Sequence, residues 1–129
     1  MTENELSRHI VDAALEVHRV LGGPGLLEHI YDEALATELT QRGFKVQRQV
    51  PVPVHYKGVV LTMPLRLDLL VNDLVIVESK AVSKLIPAFI ALTISYLYFS
   101  NKRLALLINF GQSPLRQGIR RVVNRLADS

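Results

Sequence analysis

The sequence predicts a single α/β domain in which a central mixed β-sheet is flanked by α-helices. Three observations carry this expectation. Apolar residues recur at helical spacing from Leu6 to Leu39; the period changes to alternation from Val46; and a long uncharged segment precedes the continuous apolar run "RLALLINF", residues 103–110. At 129 residues, 49% apolar and 21% charged, the chain has the size of one ordinary domain and would bury roughly two-thirds of its unfolded surface. The domain is expected to span residues 1–129.

The first helix begins at a capping-box pair, Thr2 and Glu5, and continues through Leu6, Ile10, Ala13, Ala14, Val17 and Leu21 until Gly22 and Gly23 stop it. "GGPG", residues 22–25, is a tight connection. A second helix over about residues 26–42 is expected to bury Leu27, Ile30, Tyr31, Ala34, Leu35 and Leu39, and Gly43 ends it.

From Lys45 onward Val46, Val50, Val52, Val54 and Tyr56 fall on alternate positions, and Lys57-Gly58 reads as a turn. Three strands are expected, at roughly residues 45–56, 59–71 and 74–79. Pro51, Pro53 and Pro64 each remove a ladder donor, which puts the first strand at an edge or interrupts it with bulges. The seventeen residues 85–101 carry no charge. That is shorter than the ~20 residues a bilayer span needs, and Pro87 suits a helix start, so a buried helix without stable membrane insertion is expected. "RLALLINF" has the composition of a strand from the middle of a sheet. Residues 115–127 fit either a short strand followed by a helix or a helix alone.

Composition excludes several chemistries. With no cysteine, thiolate zinc sites and a cysteine nucleophile are ruled out, and His9, His18, His29 and His55 form no HExxH pattern. A metal would be held mainly by carboxylates. "MTENELSRHI" lacks the basic start and apolar run of a signal peptide, so a cytoplasmic protein is expected. Residues 1–80 carry 8 basic and 11 acidic side chains, whereas residues 81–129 carry 7 basic and 1 acidic. Arg116, Arg120, Arg121 and Arg125 in this basic tail suit a phosphate backbone, and equally suit a solvated surface.

The segment "NDLVIVESKAV" ends an apolar strand in Glu78 and Lys80, two residues apart and therefore on one face. Across the preceding turn lies Asp68. If Asn72 and Asp73 alone form the turn, Asp68 faces away from Glu78; if the loop includes Leu74, the two carboxylates stand opposite each other. Carboxylates about 5 Å apart at an effective dielectric of about 20 repel by roughly 3 kcal/mol, about two pKa units. One of them then tends to hold a proton, and a divalent cation removes the repulsion. Carboxylates, water and a backbone carbonyl are the ligands Mg²⁺ selects. The plainer alternative is a sheet rim, with Glu78 and Lys80 paired and Asp68 joined to Arg66 or Lys80, worth about 0–1 kcal/mol. Glu28 in the first turn of the second helix likewise suits the helix dipole without any further role.

Gly25, Glu28 and Tyr31 in "GLLEHIY", preceded by "AALEVHRVLGGPG" and followed by "RLDLLV", "VIVESKAV" and "LLINFG", resemble the bacterial GxxExxY family, a branch of the PD-(D/E)XK nuclease superfamily. The resemblance runs over residues 4–124. It implies a restriction-endonuclease-like fold and a Mg²⁺-dependent nuclease acting on DNA, with Mn²⁺ as a substitute. Asp68 and Glu78 would ligate the metal with the carbonyl of Ser79, and Lys80 would position the attacking water or stabilise charge on the phosphate. Glu28 would complete the metal's water shell. One feature departs from the pattern. The helix after the E-x-K strand usually carries a glutamine four residues before a tyrosine; here Tyr96 is kept, Leu92 takes the glutamine position, and Phe89 and Ile90 stand where His and Glu are common. This apolar face makes a homo-oligomer through residues 85–101 one expectation, and a binding module that keeps the fold without cleavage another.

Overall fold

The computed structural model describes residues 1–126. The final residues of the expected 1–129 domain, including Ala127 of the tail, lie outside the described residues. A five-stranded mixed sheet in the order β1-β4-β5-β6-β7 forms the centre, with helices on both faces.

Helix α1 (Glu3–Val20) starts as expected: the Thr2 hydroxyl accepts the Glu5 amide at 3.1 Å and donates to the Glu5 carboxylate. Helix α2 (Glu28–Gln41) is shorter than its apolar pattern suggests, because Leu27 is its N-cap residue and supplies no side-chain cap. Leu27 and Ile30, expected in the core, are exposed. Tyr31, Leu35 and Leu39 are buried and pack with Leu6, Ile10 and Ala13 of α1 against one face of the sheet.

The first two expected strands each divide. Residues 45–56 become β1 (Val46–Val52) and β2 (His55–Tyr56), and residues 59–71 become β3 (Val59–Val60) and β4 (Leu65–Val71). Pro53 and Pro64 fall in the breaks, where no ladder bond is lost. β2 and β3 form a small separate hairpin, and β1 lies at the sheet edge, as its prolines require. Gln49 has φ of 51° and sits across from Asp68 in the β1–β4 ladder. The inward face changes there: Leu69 and Val71 pack toward α1 and α2, but Leu65 and Leu67 pack with the opposite core.

β5 (Val75–Lys80) pairs antiparallel with β4 and parallel with β6 (Leu104–Asn109), every residue of which is buried. Between them, α3 (Pro87–Ser100) crosses the second face, with Pro87 at its first turn. It is not the buried helix expected. Only Thr93 and Leu97 are enclosed, and Leu92, Ile94, Tyr98 and Phe99 reach solvent. No described helix is long and apolar enough to cross a membrane. The tail follows neither expected reading: a 3-10 turn (Leu115–Gly118) leads into β7 (Ile119–Val123), antiparallel to β6.

Candidate active site

The β4–β5 connection decides whether Asp68 and Glu78 meet. Asn72 and Asp73 are both left-handed, with φ of 52° and 57°, and the Leu74 amide donates to the Val71 carbonyl at 3.0 Å. That closes a tight turn of the type Asn and Asp favour. Leu74 is then an extra residue, so Val71 pairs with Val75, Leu70 with Ile76 and Leu69 with Val77. One step further, this register sets Asp68 against Glu78, the second of the two registers the sequence allows.

At that step the ladder stops and the carboxylates replace it. The Asp68 amide donates to Glu78 Oε1 at 3.0 Å, and the Ser79 amide donates to Asp68 Oδ2 at 2.9 Å. Glu78 is only 5% exposed. Burial first, and then the neighbouring Asp68 charge, push its carboxyl up to about 9, against the partial offset of the Asp68 amide and Lys80. Near neutral pH Glu78 therefore carries a proton that it can share with Asp68. No ion pair joins Asp68 or Glu78 to Arg66 or Lys80 among the described residues, so the rim-pair alternative does not describe this site.

Lys80 ends β5 on the same face as Glu78, with its ammonium 4.8 Å from the centre of the Phe89 ring. Phe89 thus holds the lysine by a cation–π contact. Tyr96 of α3 also faces the pair: burial, then the Glu78 and Asp68 charges, raise its hydroxyl pKa. Leu92 is 41% exposed and adds no polar group.

Glu28 comes from the start of α2. Burial raises its pKa, Lys80 lowers it and Asp68 raises it, which places its carboxylate within the field of both. The remaining motif residues hold it there. Gly25 has φ of 125°, and the Tyr31 hydroxyl donates to the Gly23 carbonyl at 2.6 Å and accepts the Leu26 amide at 3.1 Å. The Tyr31 ring stacks on Phe110 at 4.8 Å.

Two residues of this neighbourhood escaped the sequence reading. Asp32, one helical turn beyond Glu28, is buried and accepts the Ser79 hydroxyl at 2.8 Å. Burial lifts its carboxyl to about 6, the Ser79 bond and Arg48 oppose the rise, and Asp68 and Glu28 add to it. The i, i+4 spacing of Glu28 and Asp32 was the available signal. Asn109, fully buried, brackets the chain after Lys80: its side chain accepts the Val82 amide at 3.0 Å and donates to the Val82 carbonyl at 2.9 Å. Gly111 leaves room for this approach, since a Cβ there would stand 2.2 Å from the Val82 carbonyl oxygen.

The donor set suits a hard divalent cation. A strand residue directs its N–H and C=O to one side. The Ser79 amide points to Asp68, and its carbonyl therefore faces the same gap. Two carboxyl groups, one kept protonated by burial and by the other's charge, and a carbonyl are oxygen ligands of the kind Mg²⁺ takes. No group of three His, Cys, Asp or Glu side chains is placed to hold an ion among the described residues. Such an ion would complete its shell with the carbonyl and water, which suits Mg²⁺.

A family model described as the PD-(D/E)XK nuclease superfamily matches residues 4–122. No curated protein matches, and no solved structure does. The match is at the level of the superfamily; the GxxExxY branch rests on the motif resemblance alone. With a mixed central sheet consistent with the restriction-endonuclease-like fold and a match over nearly its whole length, the chain belongs to the PD-(D/E)XK nuclease superfamily.

Proposed function

We propose that this protein is a Mg²⁺-dependent nuclease that hydrolyses phosphodiester bonds in DNA, a member of the bacterial GxxExxY branch working in the cytoplasm. The reading is carried by the facing carboxylates of Asp68 and Glu78 with Lys80 beside them on the same face. Asp68, Glu78 and the Ser79 carbonyl would hold the metal, and Mn²⁺ would substitute. When bound, the ion supplies a water of lowered pKa and neutralises charge on the phosphate. Lys80 donates to a phosphate oxygen or orients the water, and its ammonium strengthens its hold as negative charge grows on the equatorial oxygens. Glu28 would accept from a water of the metal's shell. Asp32 fixes Ser79 through its hydroxyl, and so fixes the strand that offers the carbonyl.

The test is cleavage of single-stranded, duplex and branched DNA with Mg²⁺, Mn²⁺ or chelator. Asp68→Ala or Lys80→Ala should abolish cutting while leaving DNA retention largely in place. A wild type that cuts none of these with either metal overturns the nuclease. A second reading, a nucleic-acid-binding module without cleavage, is favoured by one observation: α3 offers Phe89, Ile90 and Leu92 where polar residues would position substrate.

A further inference from the structure

Of the three described helices, only α3 has no charged residue, and it is the one left uncovered. Its outward side is built from Ala88, Ala91, Leu92, Ile94, Tyr98 and Phe99, with Ile94 51% and Tyr98 68% exposed. These residues leave roughly 500 Å² in water, most of it apolar, within the range of the largest patch on an ordinary monomer. Beside them runs a groove of about 240 Å³, lined mainly by apolar residues, among them Val50, Pro51, Pro53, Leu67 and Phe99, with Lys102 at its edge. Tyr98 stands next to it, braced edge to face on Phe99 with ring centres 5.1 Å apart.

We propose that a second copy of this chain covers α3 in an isologous dimer, with Tyr98 of each copy entering the groove beside Phe99 of the other. Three features select this occupant. A two-fold interface needs one patch that is its own complement, and here a ridge and a groove adjoin on the same surface. Two such patches would bury about 1,000 Å², the least that a specific interface needs. The helix itself offers no cation to a phosphate backbone, and Lys102 at the groove is already paired with Asp73, its ammonium donating to Oδ1 at 3.2 Å, which leaves an uncharged apolar partner as the better match. The dimer is independent of the nuclease: an active monomer and an inactive dimer are distinguishable outcomes.

Sedimentation equilibrium of the wild type and of Ile94→Glu, Tyr98→Ala and Val20→Glu tests it, at about 1–100 μM and without DNA. Val20 is an exposed apolar residue on α1 and serves as the control. A dimer in the wild type and Val20→Glu is expected, with both α3 variants folded by circular dichroism and dissociating at least ~100-fold more readily. A wild type that stays monomeric at the highest concentration overturns the proposal. So does a dimer that persists unchanged in Ile94→Glu or in Tyr98→Ala.

Discussion

Replacing Glu78 by glutamine should stabilise the metal-free protein at neutral pH. Glu78 has an ordinary carboxyl pKa of 4.5 in the unfolded chain and about 9 in the fold. A raised acid is most favourable to folding below 4.5, where both states are protonated. Its contribution is lost progressively as pH rises, and levels off only above about 9. At pH 7 folding must therefore take up a proton against a gap of about 2.5 pKa units, or about 3 kcal/mol. Glutamine has the shape of the protonated acid: its carbonyl can accept the Asp68 amide and its NH₂ can donate to the Asp68 carboxylate, without a proton to bind. Glu78→Gln should thus gain up to about 3 kcal/mol at pH 7, roughly 10 °C in Tm for a chain of this size. The gain should shrink toward zero near pH 4.5. Urea unfolding with chelator at pH 5, 7 and 8.5 measures it, and using the difference from wild type cancels the titration of Asp32. Added Mg²⁺ should stabilise the wild type and leave the variant nearly unchanged. A variant less stable than wild type at pH 7, or a difference that does not change with pH, refutes the reasoning.

Ser79→Ala removes the hydroxyl bond to buried Asp32 and should cost about 1–3 kcal/mol. It should also move the Asp32 titration above its present value of about 6, which carboxyl NMR would detect. Gly111→Ala drives a Cβ to 2.2 Å from the Val82 carbonyl and should cost about 3 kcal/mol or more by urea unfolding. A loss under about 1 kcal/mol would show that the Asn109 bracket yields. Tyr31→Phe keeps the stack on Phe110 but loses both hydroxyl bonds. It should cost about 1–2 kcal/mol and speed hydrogen exchange at the Leu26 amide; unchanged exchange would mean the loop is held by other contacts.

The elements that sequence reasoning placed well are those with a single strong local signal. Thr2 and Glu5 mark a helix start by themselves, and the unbroken apolar run at residues 104–108 is of the kind found in the middle of a sheet. The Asp68–Glu78 meeting was legible only as a choice between two registers, because one residue, Leu74, decides it and its exclusion from the pairing depends on the fold. Asp32 was hidden for a different reason. An acid on a helix reads as surface until the Ser79 hydroxyl beneath it is known. The exposure of α3 contradicts its own composition, and no local rule anticipates it: burial is settled by what packs above a helix, and the described residues put nothing above Ile94 or Tyr98. Gln49 is similar, since glutamine gives no warning of a left-handed residue in mid-strand.

The exchange of amides between Asp68 and Glu78 also limits how a cation could be gripped. One oxygen of each carboxylate is already engaged by a backbone amide. While those amides stay in place, a cation held there as proposed would draw most readily on the one oxygen of each carboxylate that accepts no amide, a single contact from both. Ca²⁺ draws on about six to eight oxygens and is well served by bidentate carboxylates, whereas Mg²⁺ accepts single contacts in an octahedron filled out with water. In the proposed site, the seam that closes the end of the hairpin would then favour the smaller ion.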